Sequence, residues 1–136
     1  EINTDVISVA FQYFGLHDLS EDETKRMHIV NEDGIEYLRE SNKKFDLIIN
    51  DAFTGKKEQR RDEESIQIIH DALNEKGIYI VNVPTALSGP FAKKGNAFRK
   101  LLQNHFKHTV LLATQEEKQP FEKQNVLMIS SDSELL

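Results

Sequence analysis

Short runs of branched apolar residues alternate along this chain with longer segments in which apolar residues recur at helical spacing. This alternation is typical of βαβ units, and it predicts an α/β domain with a doubly wound, mostly parallel sheet. No helical segment separates the last two apolar runs, so we predict that they pair as an antiparallel hairpin. The predicted strands are Met27–Val30, Phe45–Asn50, Ile78–Val83, Thr109–Thr114 and Asn125–Ser130, and the main predicted helices cover residues 4–14, 35–38, 63–74 and 96–106.

The first three residues, Glu1-Ile2-Asn3, have the pattern of the last residues of a strand. No initiating Met and no apolar run precede them. We therefore expect residues 1–136 to form a single partial domain that lacks the first strand and most of the second strand of its sheet. A chain of 136 residues is nevertheless long enough to bury a hydrophobic core.

The composition is that of a soluble globular protein, with 38% hydrophobic and 29% charged residues. The formal net charge of −6 argues against a nucleic-acid partner, because duplex binding relies on clustered Lys and Arg. We interpret the basic pairs Lys56-Lys57, Arg60-Arg61 and Lys93-Lys94 as solvated surface, since acids or loop residues are interleaved with them. No apolar stretch approaches the roughly 20 residues that span a bilayer, so no membrane partner is expected.

The cysteine and histidine content limits which nucleophiles and metal sites the chain could form. The chain has no cysteine, which excludes disulfides, thiolate metal sites and cysteine nucleophiles and suits a cytoplasmic location. His105 and His108 are spaced like a pair of metal ligands, but no third ligand lies near them in the sequence. We therefore predict no metal site.

Polar residues follow the predicted parallel strands at the point where each strand ends. Asp51 follows the strand that starts at Phe45, Asp33 and Gly34 follow the strand before it, and Asn82 lies near the end of the next one. Ligands of open α/β sheets bind beyond the carboxyl ends of the strands, so we predict one site there.

Purely structural roles for two of these residues stay open. Asp33 would cap the short helix after it, alone or in addition to binding a ligand, and Asp51 would be a turn residue.

Four motifs carry a family resemblance. They are Glu1-Ile2-Asn3, Asp33-Gly34, Phe45-Asp46-Leu47-Ile48-Ile49-Asn50-Asp51 and Leu73-Asn74-Glu75-Lys76-Gly77-Ile78. They resemble the end of the second strand, the turn after the third, the fourth strand and the start of the fifth in the spermidine synthase family. The segment 106–129 is also similar to the closing hairpin of that family. The resemblance implies a Rossmann-like fold of the class I S-adenosylmethionine-dependent methyltransferases, truncated at its N-terminus.

The resemblance also implies a reaction and a set of site residues. The donor substrate would be S-adenosylmethionine or its decarboxylated form, and the acceptor would be an amine or another nucleophile. Glu1 would bind the ribose hydroxyls of the donor, and Asp33 with Gly34 would contact its adenine end. Asp51 would be the catalytic residue that orients the amine and accepts its proton. The implied function is aminopropyl or methyl transfer between small molecules, as in polyamine biosynthesis, and the oligomeric state is left open, a homodimer included.

The chain departs from the family pattern in three places. Thr54 stands where aminopropyltransferases have a further acid, and the segment 55–61 is charged where theirs is rich in small residues and Pro. No Gly-x-Gly-x-Gly loop occurs, so we expect these 136 residues by themselves to bind the donor poorly and to be inactive.

Three alternative functions stay open. They are a methyltransferase with a small-molecule acceptor, a nicotinamide-binding dehydrogenase, and a catalytically inactive scaffold or protein-interaction domain.

Overall fold

The computed structural model describes residues 1–16, 19, 27–52 and 61–135. The chain divides into two compact units, Glu1–Ser41 and Asn42–Leu136. The prediction of a single partial domain over residues 1–136 stays a prediction. The two units are described one after the other.

The first unit contains two helices that begin at side-chain caps. Helix α1 covers Thr4–Tyr13, and the Asn3 side chain accepts a hydrogen bond from the Asp5 N–H at 2.9 Å. Helix α2 covers Gly34–Glu40, and it is capped by the preceding aspartate. Such caps satisfy N–H groups that have no partner inside the helix. Neither helix contains a fully buried residue.

The predicted strand Met27–Val30 is wrong, because these residues form no strand. Among the described residues, Val30 and the following Asn31 form hydrogen bonds with the first residues of the chain. The Asn31 side chain donates to the Glu1 carbonyl oxygen at 2.9 Å, and the Glu1 nitrogen donates to the Val30 carbonyl oxygen at 3.2 Å. A branched apolar run is thus insufficient for a strand when no neighbouring strand supplies a ladder.

The second unit is built on a four-stranded sheet in the order β1-β2-β4-β3. Strands β1 and β2 are parallel, and β4 pairs antiparallel with both β2 and β3, which confirms the predicted hairpin. The elements are β1 (Phe45–Asn50), α3 (Glu63–Ala72), β2 (Leu73–Thr85), a short 3-10 helix (Pro90–Ala92), α4 (Lys93–His105), β3 (His108–Ala113) and β4 (Gln124–Ser131). Helix α4 begins three residues before the predicted start, because the 3-10 turn opened by Pro90 leads directly into it.

The core lies between one face of the sheet and the two helices α3 and α4. Alternate residues of β2 and β4 point to this face, as the two-residue period of a strand requires. Burial of each large side chain contributes about 1.5–3 kcal/mol, before conformational entropy is subtracted. The fully or almost fully buried side chains are Ile66, Ile69, Phe98, Leu102 and Phe106 from the helices and the turn after α4, and Tyr79, Val81, Val83, Val126 and Met128 from the strands.

The opposite face of the sheet is apolar at its two edge strands. Leu47 and Ile49 of β1 are 47% and 65% exposed, and Val110 and Leu112 of β3 are also exposed. The register places these side chains on the same face as Ile80, away from α3 and α4. Within the described residues of the second unit, helices therefore cover one face of the sheet.

Two glycines permit close approaches that fix the ends of β2. A Cβ on Gly77 would lie 2.9 Å from the Leu73 side chain and from the Asn74 carbonyl oxygen. A Cβ on Gly95 in the first turn of α4 would collide with the Thr85 side chain at the end of β2. The start of α4 is therefore held directly against the end of β2.

Candidate active site

The parallel pairing of β1 and β2 brings two predicted polar residues together. Asn50 pairs with Val81, so the next residue of each strand, Asp51 and Asn82, lies side by side. The Asn82 amide nitrogen donates to the Asp51 Oδ1 at 3.0 Å. We call this end of the sheet, where β1 and β2 finish, the carboxyl edge. It is the end at which ligands bind in open α/β sheets.

Arg61 joins this edge from the residues just before α3. Its Nη2 donates to the Asn82 carbonyl oxygen at 3.3 Å. Its guanidinium carbon lies 5.2 Å from the centre of the Phe98 ring, within the range of a cation–π contact. The interpretation of Arg61 as part of a solvated basic surface is therefore wrong, because the side chain is half-buried between α4 and the end of β2. No local pattern signals this placement, since it depends on how α4 packs.

Tyr79 and Asn50 form a second polar contact below the edge. The Asn50 amide donates to the Tyr79 hydroxyl oxygen at 3.1 Å, and the Asn50 Oδ1 accepts from the Ala52 N–H at 3.3 Å. Burial raises the pKa of Tyr79 to about 12, although the Asn50 hydrogen bond and the positive charge of Arg61 act against this rise. The phenol is therefore neutral at physiological pH and supports the end of β1 rather than acting as a base.

The carboxyl edge has more hydrogen-bonding groups than the described residues use. The Asn82 Oδ1 and the Arg61 Nε are both buried without a hydrogen-bond partner among those residues. The same is true of the Gln124 Oε1, and Gln124 pairs with Thr85 at this end of the sheet. Because buried polar atoms are nearly always bonded, these atoms mark the edge as a place where a polar ligand would find partners. Sequence reasoning missed the contributions of Arg61 and Gln124.

The residues predicted to bind the donor, Glu1, Asp33 and Gly34, lie in the first unit. The Asp33 Oδ1 accepts from the N–H groups of Ile35 at 2.9 Å and Glu36 at 3.3 Å, which confirms that Asp33 caps α2. The space beside Gly34 is open within 4 Å of the position where a Cβ would lie. The Glu1 Oε1 accepts from the Asn3 N–H at 2.8 Å. The ligand roles of Glu1, Asp33 and Gly34 stay predictions.

The opposite end of the second unit, where β1 and β2 begin, is also polar, and we call it the amino edge. Asp46 accepts from the Asn74 amide at 2.6 Å, far along β1 from Asp51 as predicted. The His70 Nε2 lies 2.9 Å from the Asp132 Oδ2, and Asp132 also accepts from the Lys107 N–H at 3.0 Å.

A cavity of about 210 Å³ opens at the amino edge, beside His70, Lys107 and Asp132. Both carboxylate oxygens of Asp132 already have partners, the His70 ring and the Lys107 main-chain N–H. The cavity also lies at the end of the strands where open α/β sheets do not bind ligands. The carboxyl edge is therefore the better candidate for chemistry.

The described residues include only part of the remaining features that the sequence predicts. Thr54 and most of the charged segment after it lie outside the described residues. No group of three or more metal-ligating side chains occurs in the described parts of the chain. Among the helices formed by described residues, none is both long and apolar enough to cross a membrane.

Comparison with known proteins links the sequence to one family. The family model for the spermine/spermidine synthase domain matches residues 1–85. A curated polyamine aminopropyltransferase of Thermococcus kodakarensis is 32% identical over 87 residues, which cover 59% of this chain and 30% of that protein. The match therefore covers less than a third of the length of this relative.

Solved structures show the same fold. A spermidine synthase from Thermotoga maritima matches with a TM-score of 0.68 and 26% identity, covering 98% of this chain and 43% of that one. Human methyltransferase-like protein 13 matches with a TM-score of 0.67 and 17% identity, covering 96% of this chain and 58% of that one. These similarities confirm the predicted Rossmann-like methyltransferase fold, here with a mixed four-stranded sheet.

Proposed function

Because the chain belongs to the spermine/spermidine synthase family, we propose that it is part of a transferase that uses an S-adenosylmethionine-type donor. The acceptor is an amine. The amine nitrogen attacks the carbon attached to the donor's sulfonium, the carbon–sulfur bond breaks, and its electron pair leaves with sulfur as a neutral thioether. The new carbon–nitrogen bond leaves an ammonium, whose proton passes to Asp51.

The observation that carries this proposal is the Asn82–Asp51 hydrogen bond at the carboxyl edge. The amide holds one carboxylate oxygen and leaves the other for the amine, since no further partner of this carboxylate occurs among the described residues. The buried Asn82 Oδ1 would accept a second N–H of the same amine. Two acceptors of this kind orient the nitrogen lone pair toward the donor carbon, and such orientation supplies much of the rate in a displacement reaction.

For the donor, we propose roles for three residues of the first unit. Glu1 would bind the ribose hydroxyls, because a carboxylate accepts two hydroxyl hydrogen bonds well. Asp33 would accept from the exocyclic amine of adenine with the oxygen that does not cap α2, and the open space beside Gly34 would admit the flat base.

Aminopropyl transfer from the decarboxylated donor is the first reaction that we propose. The support is the family membership and the curated aminopropyltransferases that resemble this chain. Methyl transfer from S-adenosylmethionine is the alternative, which the likeness to a methyltransferase fold favours. The two reactions are told apart by the donor that supports product formation.

The proposal is tested by incubating the complete gene product with each donor and a panel of primary amines. Mass spectrometry then detects the alkylated amine and the thioether product. We expect an aminopropylated amine with the decarboxylated donor. The proposal fails if neither donor gives product with any amine while a family enzyme assayed in parallel does.

A further inference from the structure

The outer edge of β3 has backbone hydrogen-bonding groups that no strand of the described residues uses. Strand β3 ends the sheet order β1-β2-β4-β3, so its side away from β4 has no strand partner in the described part of the chain. One residue after β3, the Thr114 N–H donates to the opposite Asn125 carbonyl oxygen at 3.2 Å. Backbone groups of successive residues point to alternate sides of a strand. The N–H and C=O groups of Thr109, Leu111 and Ala113 therefore point away from β4.

Strand β3 also lacks the features that usually prevent an exposed edge from pairing with another chain. Such features are charged residues, prolines and bulges. The six residues His108–Ala113 include no Lys, Asp, Glu or Pro, and their register with β4 is regular throughout. Val110 and Leu112, on the sheet face away from α3 and α4, are 38% and 54% exposed. By contrast, β1 at the other end of the sheet contains the charged Asp46 and has an irregular register near its start.

A second copy of the chain fits this edge, because β3 is complementary to itself in antiparallel orientation. When Leu111 lies opposite Leu111 of the second copy, Val110 lies opposite its Leu112 and Thr109 lies opposite its Ala113. Opposite residues of antiparallel strands share a sheet face, so the exposed Val110 and Leu112 side chains cover each other. The same register brings the outward-pointing backbone groups together in pairs, which exchange about six hydrogen bonds, two for each pair.

The charges beside the two ends of β3 also favour a second copy. Lys107 directly precedes the strand, and Glu116 and Glu117 lie in the turn after it, all exposed. In the register centred on Leu111, Lys107 of one copy lies opposite Gln115 of the other, next to Glu116. Within one copy, about 30 Å of extended chain separates Lys107 from Glu116. This attraction therefore arises only between two copies.

We propose that β3 is a dimerisation edge, at which a second copy of this chain pairs antiparallel about a two-fold axis through Leu111. The two four-stranded sheets then form one continuous sheet. The assembly closes on itself, because both copies use the same edge. The inference goes beyond the proposed function and does not depend on it. The contact is limited to one strand and the turn after it, so we expect a dissociation constant on the order of 1 μM.

A cysteine placed on the two-fold axis tests the register. The 136 residues contain no cysteine, so a disulfide introduced here is recognised by comparison with the wild-type gene product. In Leu111→Cys the two new side chains face each other across a pair whose Cα atoms lie about 5.5 Å apart, which suits a disulfide. We expect mild oxidation to give a covalent dimer on a non-reducing gel. Ala113→Cys is the matched control, because its two copies lie about 13 Å or more apart and should not be bridged.

Analytical ultracentrifugation of the complete gene product over a concentration series, up to about 100 μM, tests the edge itself. We expect the wild type to dimerise and Leu112→Lys to raise the dissociation constant at least about 10-fold, because a lysine protects a strand edge from pairing. Phe121→Lys is the matched control, since Phe121 is similarly exposed at 58% and lies outside β3. Lys107→Glu should also weaken the dimer, and Glu116→Lys added to Lys107→Glu should restore it.

Several outcomes would overturn the inference. A wild-type gene product that stays monomeric at about 100 μM shows that no second copy pairs with β3. A dimer that Leu112→Lys leaves as strong as the wild type uses another surface. If Leu112→Lys does not fold, as judged by circular dichroism, the two cysteine variants decide. A covalent dimer of Leu111→Cys without one of Ala113→Cys supports the edge and its register, and any other result contradicts them.

Discussion

An asparagine donates a hydrogen bond to an aspartate at each end of the β1–β2 pair, but the two contacts have different surroundings. At the amino edge, Asn74 donates to Asp46 at 2.6 Å, and at the carboxyl edge, Asn82 donates to Asp51 at 3.0 Å. The amino edge adds the pair of His70 with Asp132, whose other oxygen accepts from a backbone N–H. Its carboxylates are thus occupied by partners within the fold.

The carboxyl edge differs because its Asp–Asn contact itself has bonding capacity that the described residues do not use. The Asn82 Oδ1 and the Arg61 Nε are buried without partners among those residues, next to a carboxylate that has one amide donor. An unpaired buried polar atom is destabilising by about 1–3 kcal/mol, so a fold keeps such atoms where they bind something. We propose that the Asp–Asn contact is structural at the amino edge and functional at the carboxyl edge.

The largest expected effect comes from Asp51→Asn in the complete gene product. The substitution keeps the shape of the side chain but removes the group that accepts the proton of the amine. We expect the transfer rate to fall by about 10²- to 10⁴-fold, the usual contribution of a general base. The rate is measured by mass spectrometry of the product. Asp46→Asn at the amino edge is the matched control and should keep a rate near that of the wild type. Equal losses in the two variants would remove the distinction between the edges.

Asn82→Ala is expected to have the next largest effect on transfer. It removes the amide that holds Asp51, so the carboxylate gains freedom and the amine is less well oriented. We expect about a tenfold fall in kcat, equivalent to about 1.4 kcal/mol. Steady-state kinetics should show kcat changing more than KM. Asn74→Ala at the amino edge breaks the equivalent contact, and a comparable loss of kcat there would show that the effect comes from general destabilisation.

Tyr79→Phe tests whether the contact beneath the carboxyl edge is structural. The change leaves the Asn50 amide without the hydroxyl oxygen to which it donates, at a half-buried position. We expect the free energy of unfolding to fall by about 1–2 kcal/mol, with transfer changed far less than in Asp51→Asn. Urea denaturation measures the stability. Tyr13→Phe, at an exposed position of α1, should leave the stability unchanged. A large loss of transfer in a stable Tyr79→Phe would give the phenol a role in catalysis.

The smallest expected effect is the pH dependence of the amino edge. Desolvation raises the pKa of Asp132, but the Lys107 N–H and His70 hydrogen bonds and the charges of both residues lower it by more, so the pKa is below its ordinary value. A carboxyl whose pKa is lower in the folded state stabilises the fold above its unfolded pKa of about 3.9, and this contribution is lost as the pH falls through the folded pKa.

Urea denaturation of wild type and Asp132→Asn over a series of pH values tests this expectation. The wild type should be more stable at neutral pH, and the difference should shrink as the pH falls below about 4. A difference that stays constant down to about pH 2, where the carboxyl is protonated in both states, would show that Asp132 acts through packing alone.

The sequence predicted the main elements of the second unit because their patterns are strong and local. The strand Phe45–Asn50 was predicted with its observed bounds, and the closing hairpin was expected from the lack of an intervening helix. The strand Met27–Val30 failed for the opposite reason, since a ladder depends on a neighbour that a local pattern does not reveal.

The candidate site was predictable where it depends on strand ends and unpredictable where it depends on packing. Asp51 and Asn82 follow parallel strands, and parallel strands place their ends side by side. Arg61 appeared to be one of several surface cations, and only the position of Phe98 on α4 shows that it belongs to the edge. A capping role for Asp33 was predictable from the sequence as an alternative to ligand binding. An aspartate directly before a short helix is a local signal of an N-cap.

A crystal structure would show whether the carboxyl edge is the reacting edge. The complete gene product is crystallised with a bisubstrate analogue that joins the amine to the donor carbon. We predict that the amine nitrogen lies about 2.6–3.2 Å from the Asp51 carboxylate. It would be contradicted if that nitrogen were found at the amino edge beside His70 and Asp132, with Asp51 turned toward bulk solvent.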